Sequence, residues 1–266
     1  MTGSSLFSRR NVLVFFGAAA ASFGLGYVVR RLSTPPGSPP IDWRAAFEAK
    51  SGEGEALVKS LVGEGYAGKR KLALGAKVPS GQRLRVSREG VMVLALPDRT
   101  VMKVTGEAEL TLHIDATSGG VYNLALGAVL SVVPRHNLYL AMGPTAAIGV
   151  KGTVFFREVK GEKRDMMMSM EGPVAMPPDI TDYFCNCNGE VDYLGDLQRG
   201  EVVRNDRARH HNSFFLKTDG RLQLVKAPML DHFDDEIDRL IDIQEPPRHD
   251  KTWLQLGAAS RPGGPR

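Results

Sequence analysis

The chain has 266 residues, 42% of them hydrophobic, enough to bury one sizeable core. Its net charge of +4 has a single origin: residues 1–40 hold four arginines and no acid, and the other 226 residues carry 30 basic and 30 acidic side chains. A neutral body gives no electrostatic footprint for nucleic acid, and two cysteines are too few for a disulfide framework.

The N-terminus reads as an export segment. Ser8-Arg9-Arg10-Asn11-Val12-Leu13 fits the twin-arginine pattern, with Val12 where Phe is commoner. Val12 to Val29 is uncharged and rich in Gly and Ala. As a helix it would span about 27 Å, just enough for a hydrocarbon core of about 30 Å. No small-x-small cleavage site follows the run, and the only candidates lie inside it, among Ala18 to Ala21. Residues 1–32 are therefore expected to be a twin-arginine signal retained as a membrane anchor helix. The body would then lie on the periplasmic side of the inner membrane, or free in the periplasm if the leader is cleaved.

Residues 33–41 are a Pro-rich linker. Residues 42–66 predict a short helical lead-in, because Trp43, Ala46 and Phe47 share one helical face and Leu57, Val58, Leu61 and Val62 another. From Leu72 the period changes to two. Leu72 and Leu74 alternate, as do Leu84 and Val86, Val91 and Val93, Leu110, Leu112 and Ile114, and Leu138 and Leu140. Segments of four to eight residues bounded by Gly, Pro, Ser or Asp predict a mainly β fold of many short strands.

Pro144 to Phe155 is an apolar run punctuated by Gly149 and Gly152, which mark bends or close backbone approach. Gly152 is expected not to accept a side chain, and Lys151 beside it reads as a solvated turn lysine. Met166, Met168 and Met170 share one face of a predicted strand and are expected in the core.

Leu124 to Gly127, Pro144-Thr145-Ala146-Ala147-Ile148-Gly149-Val150-Lys151-Gly152-Thr153-Val154-Phe155 and Glu171-Gly172-Pro173-Val174 form an ordered set. That set resembles the FecR domain, the periplasmic domain of iron-transport signal regulators and other envelope proteins. The resemblance covers residues 73–179. It implies a twisted β-roll or solenoid-like β-domain at 67–179, flanked by a few short helices, and a non-catalytic role in envelope sensing, signalling or assembly with an envelope protein partner. Well-studied relatives act through a cytoplasmic anti-sigma domain. About ten residues precede the apolar run here, too few for such a domain, so no cytoplasmic sigma factor is expected as a partner.

Residues 180–245 form a C-terminal extension and 246–266 a flexible tail. Asn188-Gly189 predicts a two-residue hairpin turn, which would place Cys185, Cys187, Glu190 and Asp192 on one face. Cysteines at i and i+2 of a strand hold their β-carbons about 6 Å apart, too far for a relaxed disulfide. Two thiolates about 2.3 Å from one zinc ion suit that spacing better. Imidazoles would come from His210 or His211, the other of the pair standing behind it, and from His232 at the start of an N-capped helix. On that helix Phe233, Ile237, Leu240 and Ile241 are expected to face the body. Glu236, one turn beyond His232, would orient it or ligate.

The candidate metal ligands are thus Cys185, Cys187, His210, His211, His232 and Glu236, for zinc or iron, with copper harder to exclude. Two other readings stay open: ordinary cysteines and surface histidines that never converge, or a strained redox-active Cys-x-Cys disulfide. No Gly-x-Ser-x-Gly, phosphate loop, dinucleotide fingerprint or His-Glu-x-x-His is present, so no enzyme is expected.

Overall fold

The computed structural model describes residues 54–115, 119–161, 166–169, 172–175, 180–196 and 201–244. The leader, the linker, Trp43, Ala46, Phe47, Met170, Glu171 and the tail fall outside them, as do the side chains of Met166 and Met168. Among the described residues no helix is long and apolar enough to cross a membrane.

The architecture is mainly β. The first strands are β1 (Glu55–Val62), β2 (Gly65–Ala67), β3 (Arg70–Lys71), β4 (Lys77–Pro79), β5 (Arg83–Val86), β6 (Val91–Ala95), β7 (Val101–Asp115) and β8 (Gly119–Val132). Then come β9 (Leu138–Met142), β10 (Ala147–Val159), β11 (Met166–Ser169), β12 (Gly172–Ala175), β13 (Asp182–Asp196), β14 (Glu201–Ala208), β15 (Asn212–Thr218) and β16 (Leu222–Lys226). Helix α1 (Asp234–Ile243) closes the series.

Fourteen strands join in one sheet, whose main path runs β16-β15-β13-β10-β9-β8-β7-β5-β2-β3. β11 and β12 pair only with each other. Every pairing is antiparallel except β8 with β9.

Four strands are far longer than the periodicity suggests. β7, β8, β10 and β13 have 13 to 15 residues each. Each carries a glycine at positive φ near its middle: Gly106, Gly127, Gly152 and Gly189. A bulge or bend there shifts the alternation, so one long strand reads in sequence as two short ones. It also lets one strand change partners along its length. β10 pairs with β9 through Ala147 to Lys151 and with β8 through Val154 to Val159. β13 in turn pairs with β15 through Asp182 to Asn186 and with β14 from Gly189 onward.

Gly152 shows why the bend needs glycine. Its φ is +59°, and a β-carbon would overlap the backbone of Arg135. We expect Gly152→Val to destabilise the protein by at least about 3 kcal/mol, since left-handed strain and overpacking add. A urea midpoint within error of the unmodified protein would contradict this.

The pleat sends neighbouring residues into two separate cores. Phe155, Phe184 and Phe214 enter one; Phe156, Tyr183, Cys185, Cys187 and Phe215 enter the other, beneath α1. α1 contributes Ile237, Leu240 and Ile241 to that second core. Burying three such side chains is worth roughly 5–9 kcal/mol before entropy is charged against it. Lys103 Nζ to Glu236 Oε1 at 2.6 Å, and Gln244 Nε2 donating to the carbonyls of Arg99 and Val132, tie the helix back to β7 and β8.

Several expectations are corrected here. Glu55–Val62 is a strand, not a helix: Leu57, Val58, Leu61 and Val62 satisfy a helical period, but pairing with β4 and β6 and a bulge between Val58 and Ser60 decide otherwise. Asn188-Gly189 makes no hairpin, because β13 runs straight through it, with Asn188 paired to Val154 across the sheet. Lys151 is no solvated turn residue; it lies on β10, half-buried, its Nζ 3.0 Å from Glu190 Oε1 and 2.8 Å from Asp192 Oδ2. The N-cap of α1 is Phe233 without a side-chain cap, and this residue is 37% exposed instead of packed in the body.

Candidate metal centre

Cys185 and Cys187 sit where β13 changes partners. Being two residues apart on an extended strand, they point to the same side, into the core under α1. Asn186 between them points the other way, its Nδ2 donating to Asp206 Oδ2 at 3.0 Å. β14 and β15 follow one another along the same edge of β13, opposite β10, and the link between them passes Cys187 through His210 and His211. The His211 amide donates to the Cys187 carbonyl at 3.0 Å, which draws the link onto the strand. Later, the chain from β16 to α1 returns over the same spot and delivers His232.

Both deliveries involve backbone that L-residues seldom adopt. His211 has φ +28° and Asp231, next to His232, φ +54°. Arg99 is the one other non-glycine at positive φ among the described residues. Strain of this kind persists only where the surroundings over-determine it, and it concentrates at functional sites.

Four donor atoms converge. The two sulfurs are 3.7 Å apart, Cys185 Sγ is 3.4 Å from His211 Nδ1, and Cys187 Sγ is 3.3 Å from His232 Nε2. His232 Nε2 and His211 Nδ1 are 3.3 Å apart. A tetrahedral ion with metal–sulfur bonds of about 2.3 Å and metal–nitrogen bonds of about 2.05 Å requires edges of about 3.8 Å (S···S), 3.5 Å (S···N) and 3.3 Å (N···N). The observed edges agree with these to within about 0.2 Å. These four residues could hold a metal ion.

The outer contacts aim the rings. His232 Nδ1 donates to the Leu230 carbonyl at 2.6 Å, leaving Nε2 as its donor toward the sulfurs. His211 Nε2 lies 2.8 Å from Asp234 Oδ1, leaving Nδ1 inward. A ligating imidazole held from behind by a carbonyl or carboxylate is the usual outer arrangement of protein metal sites. Phe156 stacks on His232 with ring centroids 4.4 Å apart and seals that side. Both cysteines and His232 are buried.

Electrostatics set the protonation of the metal-free cluster. Burial opposes charge on Cys185, but the Cys187 thiol and the two imidazoles overcome it and hold Cys185 well below the usual thiol range. Burial and the neighbouring Cys185 thiolate push Cys187 up. Burial favours neutral His211, yet its bonds to Asp234 and Cys185 win and raise it to about 9. At neutral pH the cluster therefore keeps one proton on Cys187 and one on His211 that an ion must displace. Protons compete with the metal, so affinity should fall roughly a hundredfold per unit as pH drops from 8 to 7. Chelator competition across that range checks this; a pH-independent affinity would refute it.

Of the sequence-predicted residues, the structure gathers Cys185, Cys187, His211 and His232. His210 stands outside the four, with Nε2 3.3 Å from both oxygens of Asp234. Glu236 is not in the set; it pairs with Lys103 on β7. Glu190 and Asp192 are also elsewhere, engaged by Lys151, Arg207 and Asn205, because without the hairpin they never face the cysteines. Sequence reasoning missed Asp234 and Phe156. The His232-Phe233-Asp234 spacing was the one available hint of the first, and nothing local marked the second. No family model, curated protein or solved structure matches this chain.

Proposed function

We propose that this chain is an exported, non-catalytic FecR-like envelope protein whose C-terminal extension is locked in place by one zinc ion. The four-edge match to a tetrahedron is the observation that carries the metal. Two thiolates and two imidazoles are the donor set of structural zinc, and they neutralise its charge. All four corners are protein atoms, which leaves no coordination position for a substrate and favours a structural role over catalysis. Iron in the same cage is the alternative ion.

The FecR-like order of Leu124 to Gly127 and Pro144 to Phe155, together with Ser8-Arg9-Arg10, supports placement outside the cytoplasmic membrane and a part in envelope sensing or assembly. Twin-arginine export of a folded body would let the ion be inserted before crossing.

Elemental analysis of the full chain, purified in detergent without added metal, tests the centre. The expected result is one equivalent of zinc, replaceable by Co²⁺ with the intense visible bands and sulfur-to-cobalt charge transfer of a tetrahedral thiolate site. Cys185→Ser/Cys187→Ser should lose it. Less than a tenth of an equivalent of any transition metal, with both thiols titratable, would reject the proposal. Changing Arg9 and Arg10 to Lys and following a protease-accessible tag tests export; unchanged export would reject that part.

A further inference from the structure

His211 has two ring nitrogens, and both face donor clusters. Nδ1 looks inward to the cysteines and His232, while Nε2 looks outward to Asp234 and His210. One ligand atom from each of His210, His211 and Asp234 lies within 4.8 Å of the other two, and both Nε2 atoms contact the Asp234 carboxylate. We propose that these three residues form a second, exchangeable metal site for a divalent transition ion, with His211, its second ring proton released to solvent, bridging it to the inner ion as an imidazolate. The proposal rests on the inner site described above.

The separations suit open coordination. Bonds of about 2.1 Å meeting at 90–105° place donor atoms about 3.0–3.3 Å apart. Asp234 Oδ1 is 2.8 Å from His211 Nε2 and 3.3 Å from His210 Nε2. Asp234 Oδ2 is also 3.3 Å from His210 Nε2, so the carboxylate can bind through either oxygen or both. The shortest of these contacts opens by a few tenths of an ångström on binding, and the ion takes the place of the proton that His211 and Asp234 share.

Three features distinguish this site from the inner one. It has three protein donors and so leaves positions for water, the hallmark of an ion that exchanges or meets a substrate. It has no sulfur, so its preference shifts toward harder ions of the zinc, cobalt and nickel kind. It reaches solvent: the side chain of His210 is 28% exposed, whereas the inner donors are closed off.

Electrostatics permit it. Two thiolates cancel the charge of the inner ion, so an outer cation meets little net repulsion. The positive end of α1 opposes a cation, but the Asp234 carboxylate stands in that first turn, beside Asp235 and Glu236, which pair with Arg239 and Lys103, and offsets it. The outer affinity should accordingly be weaker than the inner by several orders of magnitude. An exported protein with a closed inner ion and an exposed weaker one would be suited to reporting the availability of that metal.

The experiment loads the full chain with one equivalent of Zn²⁺, removes the excess, and titrates Co²⁺. Cobalt binds less tightly than zinc and should leave the inner ion in place. We expect one further equivalent, seen by native mass spectrometry, with weak visible absorption and no thiolate charge transfer. His210→Ala should weaken cobalt binding at least tenfold while keeping the inner zinc and the circular dichroism spectrum. If zinc binds and cobalt does not at 100 µM, the outer site is absent and Asp234 serves only as a hydrogen-bond acceptor. A second equivalent that His210→Ala leaves untouched also overturns the proposal, because the ion is then elsewhere. Failure of the zinc step itself would reject both sites together.

Discussion

Stripping the inner ion is expected to lower stability by about 5 kcal/mol, or roughly 10–20 °C in thermal midpoint. The ligands come from three separate segments: β13, the β14–β15 link and the turn before α1. An ion held by them would therefore close two long loops at one point. Structural zinc in small domains supplies about 10–16 kcal/mol of apparent binding energy, but there it makes the fold. Here a large sheet has cores of its own, so only part of that energy should appear.

Loss should be local first. His232 anchors the chain directly before α1, and without it Leu230, Ile237, Leu240 and Ile241 have less to hold them over Phe156 and Leu130. Hydrogen exchange should then accelerate across 205–244 while β7 and β8 stay protected, and dye binding should report the uncovered apolar face. Cys187→Ser should reproduce both effects. A midpoint unchanged within a degree, in protein shown to be metal-free, would mean that the cage is organised by packing alone.

Arg157→Leu should cost about 3–5 kcal/mol. Arg157 lies on β10 with 0% of its side chain exposed, making it the largest fully buried side chain among the described residues. Its Nε and a terminal nitrogen grip Asp182 at 3.1 and 2.6 Å. The remaining donors reach the carbonyls of Ala141 at 2.6 Å and Ala146 at 2.9 Å. The guanidinium also packs on Gly143, where a β-carbon would strike it. One cation thus binds a buried carboxylate, the Ala141 carbonyl on β9 and the Ala146 carbonyl just before β10, which also accepts from the Gly143 amide.

Removing it leaves Asp182 uncompensated, and that penalty exceeds the net worth of the pair. Arg157→Leu/Asp182→Leu should therefore recover part of the loss, whereas Arg157→Lys should not, because an ammonium cannot fork across Asp182 and also reach both carbonyls. Urea midpoints of the three variants decide it. A loss below about 1 kcal/mol for Arg157→Leu would show that water replaces the guanidinium.

Local chemistry was readable from the residues wherever one interaction range sufficed. Strand periodicity from Leu84 to Ile114 follows from side chains alternating on a half-buried pleat, and Leu84, Val86, Leu110, Leu112 and Ile114 are all buried. The face of α1 was legible at Ile237, Leu240 and Ile241 for the same reason, and Gly152 was marked by its place in an apolar run. Where two local patterns competed, tertiary pairing chose. Leu57 to Val62 suits helix or strand, and β4 and β6 settled it as strand. Asn188-Gly189 favours a turn by an amount that a strand hydrogen-bonded on both sides readily outweighs.

The residues alone gave the donor types of the candidate metal centre and the common face of Cys185 and Cys187, because parity along a strand is a property of the backbone. Only the tertiary structure decided which imidazoles complete the set. His211 turns inward where the β14–β15 link is hydrogen-bonded to the Cys187 carbonyl and its backbone is held at φ +28°. Asp234, hinted at in sequence only by its place two residues after His232, is aimed by the start of α1, whose docking depends on β7 and β8 more than a hundred residues earlier. Donor chemistry is local, but their convergence depends on contacts far apart in the chain, and these no short-range pattern encodes.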